Sequence, residues 1–305
     1  MKNNPVLTII IPTYNRPVFL SKQLDLLLPQ LSEKVKLVVI DNNSDVAVEL
    51  PDLRANIFSS NVSLIRNESN IGGDANIFKS YCVSETDWTW VLSDDDFLQA
   101  DSIVNVLKLI ELHKDVVLIN FVGDSNVFKK VTGYYEYCDS AIYWASFSIS
   151  HIVWQTNKLR PYLDYYKEQI ASKQPQLLTT LKYLFENSEE SCLFVGKNLF
   201  SHSVEAGWNY LEFVYCTMSI YQKIEFFDLD YFKNTLGKQV VNTCFYLLYK
   251  ARYSQNLKYK DYFLAIACVV RVAKFNLLIL SPWFWITLLY LIFPCAHLFL
   301  KRRLI

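Results

Sequence analysis

Three consecutive carboxylates, Asp94, Asp95 and Asp96, end a short apolar run that begins at Trp88. An apolar run of this length predicts a buried strand, with the carboxylates at its carboxyl end. In open α/β sheets, ligands bind at that edge. Three adjacent carboxylates repel one another, so we expect a cation to offset their charge, and Mg²⁺ and Mn²⁺ suit such oxygen ligands. The alternative is a solvated turn followed by an acidic helix cap, because Asp and Ser favour both.

Apolar runs and helix-like periodicity alternate through the first part of the chain. This alternation predicts an α/β fold, a doubly wound and mostly parallel sheet with helices on both faces. The predicted strands are residues 6–11, 36–40, 63–66, 88–92 and 116–120, and the predicted helices are 17–31, 74–81 and 101–113, the last capped by Asp101 and Ser102. Beyond about residue 125 the alternation is weaker, and helices are predicted at 161–171, 174–187 and 208–223.

Charge and cysteine content argue against two classes of protein. The 305-residue chain has 30 Lys plus Arg and 30 Asp plus Glu, whereas a nucleic-acid binder normally carries a basic excess. Its seven cysteines are scattered without a CxxC pair, which argues against a zinc site and is typical of reduced thiols in the cytosol. The apolar fraction of 52% is high and indicates a membrane contact or an unusually apolar core.

The C-terminal region is the most apolar part of the chain. Residues 275–300 contain no Asp, Glu, Lys or Arg, and the basic residues 301–303 follow. The segment is long enough to span a membrane, but prolines interrupt it, and one crossing from the cytosol would place the basic cluster outside, against the positive-inside tendency. We therefore expect a peripheral or monotopic segment at the cytoplasmic face of the membrane. A buried C-terminal helix is the alternative.

Polar or glycine-rich segments follow four predicted strands, at residues 12–16, 41, 70–76 and 93–96. Because the carboxyl ends of parallel strands meet at one edge of a sheet, we expect these segments to converge. Glycines let the backbone approach a ligand, a carboxylate can accept from a base or a ribose, and the acidic triplet can hold a metal across a pyrophosphate. Together they predict a nucleotide-diphosphate pocket. Neither GxGxxG nor GxxxxGK[ST] occurs, so a dinucleotide site or a P-loop is not supported.

Four segments together resemble the family 2 glycosyltransferases of the GT-A fold. They are TIIIPTYNR at 8–16, VVIDNNSD at 38–45, NIGGDAN at 70–76 and LSDDDFL at 92–98. The resemblance covers about residues 5–120, and the four motifs occur in the family's order. It is greatest for the branch that attaches rhamnose or dideoxy sugars, such as abequose, in bacterial O-antigen and capsule synthesis.

This resemblance implies a role for each matching position around a nucleotide-sugar donor. The turn after the first strand would line the donor base, Asp41 would bind the base or ribose, and the glycine segment would close the other side of the nucleotide. The implied donor-binding residues are Pro12, Thr13, Asn15, Arg16, Asp41, Gly72, Gly73, Asp74, Ser93 and Asp94.

The resemblance also implies a metal site at the acidic triplet. The usual family motif is Asp-x-Asp-Asp; here Ser93 occupies the first acidic position, and Asp95 and Asp96 match the last two. Asp95 would be the main ligand of Mg²⁺ or Mn²⁺, with Asp94 or Asp96 assisting, and the metal would stabilise the departing nucleoside diphosphate. His202 is a further candidate ligand, against the alternative of an ordinary surface or core histidine.

The catalytic base departs from the family pattern. Inverting members usually carry an acidic base at the start of a helix in the second half, and that place falls near residues 173–177, which contain no carboxylate. The candidate substitutes are Asp139, His151, Glu205 and Glu212. Glu205 is preferred, with a solvated loop carboxylate as the alternative, and a retaining mechanism would need no such base.

Aromatic residues of the second half are candidates for stacking against acceptor sugars. Trp154 and Trp208 are named for this role, although core packing is the alternative for both. We expect residues 1–125 to form the nucleotide-sugar-binding half, 126–225 the acceptor-binding half, and 226–305 a helical C-terminal region with its membrane-associating segment at 275–300.

The sequence therefore predicts a metal-dependent glycosyltransferase. The expected partners are a nucleotide-diphosphate sugar, a glycan acceptor that is lipid-linked through a polyprenyl diphosphate, and the cytoplasmic side of the bacterial inner membrane, with no nucleic acid. A sugar nucleotidyltransferase would need a Gly-rich basic loop after the first strand, which residues 12–17 do not provide. A catalytically silent, membrane-bound scaffold or binding subunit is the second alternative, because the usual base is missing.

Overall fold

The computed structural model of the chain describes residues 4–51, 58–123, 125–139, 148–202, 214–215, 241, 244–246, 248, 259–272 and 284–285. The chain divides into two compact units. The first unit comprises Met1–Ile170 and Pro175–Ala206, and the second comprises Ala171–Gln174 and Gly207–Ile305. All four predicted strand-end segments belong to the first unit.

The first unit is built around a large mixed sheet. Its strands in chain order, with those of a small second sheet, are β1 (Leu7–Thr13), β2 (Val35–Asp41), β3 (Val62–Arg66), β4 (Trp88–Val91), β5 (Asp96–Leu98), β6 (Val116–Phe121), β7 (Phe128–Thr132), β8 (Ile152–Gln155), β9 (Ser191–Val195) and β10 (Phe200–His202). The large sheet has eight strands in the order β3-β2-β1-β4-β8-β6-β9-β7, and β5 pairs with β10 separately.

The five strands predicted for the first part of the chain are all confirmed, but the sheet is less parallel than expected. β3, β2, β1 and β4 run parallel to one another, and β6 and β9 run parallel to each other. β8 runs antiparallel between β4 and β6, and β7 runs antiparallel to β9. The sequence did not predict β8, because a strand of four residues inside an aromatic-rich stretch has no readable alternation.

The helices of the first unit include all three predicted for residues 17–113, with ends that differ by a few residues. Those described are α1 (Pro17–Leu27), α2 (Gly73–Val83), α3 (Ser102–Leu112), α4 (Gly133–Asp139), α5 (Thr156–Leu159), α6 (Leu163–Glu168) and α7 (Pro175–Glu186). α1 ends before the predicted residue 31, because a 3₁₀ turn over Leu28–Gln30 follows. Asp101 does not cap α3 with its side chain as expected; it adopts a left-handed conformation with φ 62°.

Two predicted helices of the second half lie in described residues. The helix predicted at 174–187 is confirmed as α7, whereas the one predicted at 161–171 is shorter, α6 being flanked by 3₁₀ turns. The helix predicted at 208–223 lies outside the described residues, apart from 214 and 215.

Helices cover both faces of the parallel strands, as predicted. Alternate residues of a strand point to opposite faces. Ile9 and its same-face neighbours in β1 pack with buried residues of α1 and α3. Ile10, on the other face, packs with Val38 and Ile40 of β2 and with Val83 of α2. Each aliphatic side chain buried in this way stabilises the fold by about 1.5–3 kcal/mol relative to an exposed one.

The sheet opens between β1 and β4, where the strand order reverses. The ladder between these strands ends at Ile10 and Val91, and the last backbone bond runs from the Leu92 amide to the Ile10 carbonyl. Pro12 follows on β1 and has no N–H to donate. Because the ladder ends before Pro12, the proline is tolerated in this central strand. A reversal of strand order forms a crevice at the carboxyl ends of the strands, where ligands bind in open α/β sheets.

The second unit is described in part. It contains α8 (Tyr259–Val272), and the Phe245 and Phe284 rings meet edge to face at 5.3 Å. The predicted membrane segment, 275–300, lies outside the described residues except for 284 and 285. Among the helices that the structure does describe, none combines the length and the apolar character needed to cross a membrane.

Candidate functional site

The acidic segment after β4 lies against the turn after β1. Thr13 Oγ1 donates a hydrogen bond of 2.7 Å to Asp94 Oδ2. Arg16 Nη1 donates to both carboxylates, at 3.1 Å to Asp94 Oδ1 and 2.9 Å to Asp95 Oδ2. The Ser93 hydroxyl donates to Asp95 Oδ1. The predicted convergence of the first and fourth strand ends is therefore present, and the cation between the carboxylates is a guanidinium of the chain itself.

Burial dominates the electrostatics of Asp94. Burial raises the pKa of Asp94 above its ordinary value, and the hydrogen bond from Thr13 and the charge of Arg16 oppose this shift without cancelling it. For Arg16, burial would lower the pKa, but the charges and hydrogen bonds of Asp94 and Asp95 outweigh it and raise the pKa. One guanidinium thus serves two carboxylates, and the cluster keeps a net negative charge that a further cation would offset.

A serine before β8 supports the acidic segment from behind. The Ser93 amide donates to Ser150 Oγ at 2.9 Å, and Trp90 Nε1 donates to the Ser150 carbonyl at 2.8 Å. Ser150 is buried and directly precedes His151, whose ring packs edge to face against Phe200 at 4.8 Å. The segment that leads into β8 therefore supports the acidic segment through Ser150, and His151, a candidate base, is the next residue in the chain.

The carboxylate at the end of β2 is already bonded on both oxygens. The Ser44 amide donates to Asp41 Oδ1 at 2.9 Å, and Arg66 forms an ion pair with Oδ2. The exposed fraction of Asp41 is 0%. Burial alone would raise the pKa of Asp41, but hydrogen bonds from Ser44 and Val48 and the charge of Arg66 lower it below its ordinary value. Both Asp41 oxygens therefore have partners within the chain in this conformation, and the contact with the donor base or ribose stays a prediction.

A network of asparagines joins the ends of β2 and β3 to the start of α2. Asn67 Nδ2 donates to Asn42 Oδ1 at 2.8 Å and to Asn76 Oδ1 at 3.0 Å, and Asn42 Nδ2 donates to Asn70 Oδ1 at 2.8 Å. Asn76 Nδ2 donates to the Ile40 carbonyl at 3.2 Å. Networks of this kind, with three of the four amides buried, hold a loop in one conformation, so the glycine segment has a defined position at the sheet edge.

The two glycines at the start of α2 differ in whether the backbone conformation requires a glycine. Gly72 adopts φ 88°, a conformation that side chains rarely adopt. Gly73 has no such restriction, and a Cβ added to it would meet nothing within 4 Å. The chain itself therefore does not require glycine at 73, whose backbone is open to a ligand. Asp74 lies in the first turn of α2, as predicted.

Asn15 links the loop after β1 to the loop after β2 by hydrogen bonds. Its φ of 53° is left-handed, a conformation that asparagine tolerates better than most residues. The backbone amide of Asn15 donates to Ser44 Oγ at 2.9 Å. In its side chain, Nδ2 donates to Asp45 Oδ2 at 3.0 Å, and Oδ1 accepts from the backbone amide of Asp45 at 2.8 Å. The Thr13–Arg16 turn and the Asp41 loop are therefore one connected structure.

The remaining predicted site residues are a paired strand position, a core residue and several residues outside the described part of the chain. Asp96 begins β5, where its backbone is paired opposite His202 of β10, so these two predicted metal ligands share a register position. Trp154 is 2% exposed and packs against Tyr81 and Tyr166, so it is a core residue and not an acceptor contact. Glu205, Trp208 and Glu212, and the side chain of Asp139, lie outside the described part of the chain.

Two site residues were not predicted. Arg66, which pairs with Asp41, ends a predicted strand beside β2, so its position at the sheet edge was a usable signal. Ser150 had no such signal, because its place depends on β8. The start of α7 carries Pro175 and the buried Gln176, which confirms that a helix begins where the family base is expected and that an amide, not a carboxylate, stands there.

The residues present fit a divalent cation of the Mg²⁺ or Mn²⁺ type. Asp94 Oδ1 and Asp95 Oδ2 both lie within 3.1 Å of one nitrogen of Arg16, so the two carboxylates already share one positive group. Within the described residues no set of three His, Cys, Asp or Glu side chains is arranged to hold a metal. Two carboxylates are enough for such an ion, which commonly takes its remaining ligands from phosphates and water.

The chain is similar to known proteins both in sequence and in fold. The abequosyltransferase RfbV of Salmonella typhimurium is 28% identical over 116 residues, which are 37% of this chain and 35% of that protein. The alignments span about a third of the length of the curated relatives that the chain matches.

Two solved structures share the fold. S. aureus TarS 1–349, in complex with UDP-GlcNAc, has a TM-score of 0.59 at 15% identity, covering 90% of this chain and 83% of that one. The mannosyltransferase PcManGT of Pyrobaculum calidifontis, in complex with GDP-Man and Mn²⁺, has a TM-score of 0.52 at 11% identity, covering 96% and 88%. The large α/β sheet is that of the GT-A fold. The model of the glycosyl transferase family 2 matches residues 8–175, more than half of the chain, and the chain belongs to that family.

Proposed function

We propose that the protein is a metal-dependent glycosyltransferase, which transfers a sugar from a nucleotide-diphosphate donor to a hydroxyl group of a glycan acceptor. One observation carries the proposal. The turn of Thr13 and Arg16, the carboxylates Asp94 and Asp95 and the open backbone at Gly73 lie at the carboxyl ends of parallel strands of one sheet. Family membership, the similarity to an abequosyltransferase and the fold shared with a protein solved in complex with UDP-GlcNAc support the proposal.

The donor would bind along the crevice between β1 and β4. Its base and ribose would lie near the linked loops of Asn15 and Asp41, with Asp41 acting by holding Arg66 and its own loop in place. Its diphosphate would reach the acidic segment, where Asp94 and Asp95 would hold Mg²⁺ or Mn²⁺ and the backbone at Gly73 would approach the nucleotide. When bound, the metal supplies a positive charge that stabilises the departing nucleoside diphosphate.

The acceptor hydroxyl needs a base if the transfer inverts configuration. Glu205 remains the candidate from the sequence. His151 is the stronger candidate by position, because it follows Ser150, whose hydroxyl binds the backbone of the acidic segment. A histidine can take a proton near neutral pH, since its unperturbed pKa is about 6.5. A pH profile of turnover for His151→Gln and Glu205→Gln would separate the two.

We place the enzyme at the cytoplasmic face of the bacterial inner membrane, with a polyprenyl-diphosphate-linked oligosaccharide as acceptor in cell-surface polysaccharide synthesis. The apolar segment 275–300 followed by the basic residues 301–303 supports a membrane contact. The similarity to an abequosyltransferase supports a deoxysugar among the candidate donors. Flotation of the purified protein with anionic vesicles, with and without residues 275–305, tests the membrane contact.

The experiment that tests the donor site is a thermal-shift screen of detergent-purified protein with UDP, dTDP, GDP and CDP, each with and without Mn²⁺. A ligand that binds only the native state raises its stability in proportion to ln(1 + [L]/Kd). We expect one nucleotide to raise the melting temperature, and to do so only with metal. Folded protein that responds to none of the four would favour the catalytically silent scaffold instead.

A further inference from the structure

Arg16 occupies the place of a cation at the acidic segment. Its Nη1 lies 3.1 Å from Asp94 Oδ1 and 2.9 Å from Asp95 Oδ2. Mg²⁺ and Mn²⁺ bind carboxylate oxygens at roughly 2.0–2.2 Å. An ion bound to these two oxygens would compete with the guanidinium for the same acceptors, and the two positive charges would repel each other. Metal and Arg16 therefore compete for this position.

The position of Arg16 is supported from a second side. Its guanidinium carbon lies 5.7 Å from the centre of the Phe19 ring, within the range of a cation–π contact. The Phe19 ring stacks on Phe97, with centroids 6.3 Å apart and planes 7° apart. Lys22 Nζ lies 3.8 Å from the centre of the Phe97 ring. The Phe19 ring thus gives the Arg16 guanidinium an aromatic contact in addition to its ion pairs with the acidic segment.

The two sides of the ion pairs differ in their freedom to move. The Arg16 side chain is 42% exposed, whereas Asp94 and Asp95 are 5% and 13% exposed. Thr13 and Ser93 also hold the two carboxylates by hydrogen bonds that do not involve Arg16. The carboxylates therefore stay in place when the arginine leaves, and the arginine can leave without opening the core.

We propose that Arg16 is a built-in counter-ion that the catalytic metal displaces. In the absence of donor, it offsets the repulsion between Asp94 and Asp95 and lowers the affinity of the site for free metal. When metal arrives with the donor diphosphate, the released guanidinium remains next to the phosphates and pairs with them. Arg16 thereby couples metal binding to donor binding. This inference rests on the proposed donor site and adds the order in which its ligands bind.

The test is a titration of the full-length protein with Mn²⁺ alone. The concentration of free Mn²⁺ is measured at each step by electron paramagnetic resonance. We expect Arg16→Gln to bind Mn²⁺ on the order of fivefold more tightly than the wild type, because each lost ion pair is worth up to about 1 kcal/mol and 1.4 kcal/mol is tenfold. Arg16→Lys keeps a cation there and should lie near the wild type. Lys36→Gln, which removes a surface cation paired with Glu85, is the matched control and should leave the affinity unchanged.

A second titration with Mn²⁺ in the presence of the best nucleotide separates the possible failures. In the wild type, the nucleotide should tighten Mn²⁺ binding more than it does in Arg16→Gln, since the variant has no counter-ion to release. If the wild type binds nucleotide with metal but Arg16→Gln binds Mn²⁺ no more tightly, the counter-ion role is wrong and the donor site stands. If neither protein binds any nucleotide with metal, the donor site itself fails, and this inference fails with it.

Discussion

The ends of β2 and β4 both present a buried carboxylate at the same edge of the sheet, and the two carboxylates are stabilised differently. Asp41 receives backbone and side-chain donors as well as Arg66, and its pKa is lowered although burial opposes this. Asp94 accepts a hydrogen bond from Thr13 and shares the Arg16 guanidinium with Asp95, and burial keeps the pKa of Asp94 raised. The β2 end is therefore complete without a ligand, whereas the β4 end is not. This difference agrees with our proposal that the β2 end is scaffold for the pocket and that the metal and donor bind at the β4 end.

The largest effect is expected from removing the carboxylate that is least buried at the β4 end. Asp95→Ala should abolish the metal-dependent nucleotide shift and lower sugar transfer by on the order of 100-fold or more, because the metal loses a ligand where negative charge develops. Calorimetry of nucleotide binding with Mn²⁺ measures the loss. Unchanged binding would mean that Asp95 is not a ligand and that the β4 end, like the β2 end, is structural.

Removing the charge at the β2 end should affect stability instead. Asp41→Asn should lower the free energy of unfolding by about 2 kcal/mol, since hydrogen bonds to a charged group are worth about 1.5–3 kcal/mol and Arg66 would lose its buried partner. Urea unfolding measures the change. Asp115→Asn, which removes the exposed partner of Lys130, is the control and should change stability by less than about 0.5 kcal/mol. A variant at Asp41 as stable as this control would contradict the scaffold role.

The pH dependence should distinguish the two carboxylates. Because the pKa of Asp41 is lowered in the folded protein, its contribution to stability is present above its ordinary pKa of 3.8 and is lost as the pH falls through the lower folded value. The stability difference between the wild type and Asp41→Asn should therefore narrow below about pH 4. For Asp94, whose pKa is raised in the folded protein, the effect of pH on stability has the opposite sign. The ionised carboxylate lowers the stability of the fold, and this loss becomes smaller as the pH falls towards the folded pKa.

Unfolding curves of the wild type, Asp41→Asn and Asp94→Asn between pH 3 and 7 give both signs. As the pH falls from 7, the free energy of unfolding of the wild type should rise relative to that of Asp94→Asn. Near pH 3, the free energy of unfolding of the wild type should fall relative to that of Asp41→Asn. Parallel curves for the two variants would show that the two strand ends do not differ in their electrostatics.

The smallest effect concerns the link between the two ends. Asn15→Ala should be less stable than Asn15→Gly by about 1 kcal/mol, because both lose the bonds to Asp45 but only alanine is strained at φ 53°. Thermal unfolding of the two variants measures this difference. Equal stabilities would show that the left-handed turn relaxes without its side chain, and that the β1 and β2 loops are less firmly joined than their hydrogen bonds indicate.

The first part of the fold was predictable because its signals are local. Each of the strands β1, β2, β4 and β6 is a near-continuous apolar run, and Pro17 and Gly73 stand at the starts of α1 and α2. The strands β7 to β10 escaped prediction because they are short and stabilised by partners distant in the chain. β8, for example, lies between β4 and β6 only through antiparallel pairing that no local pattern encodes.

The four strand-end motifs, their order and the family of the chain can be read from residue type and spacing alone. The pairing of charges depends on how the strands are arranged in the folded protein. Arg16 is close to Asp94 and Asp95 only because β1 and β4 are neighbours, and Asp41 is closed off by Arg66 only because β2 and β3 are in register. The predicted cation at the triplet was physically required by the repulsion of its carboxylates, but only the folded chain could supply one from its own side chains.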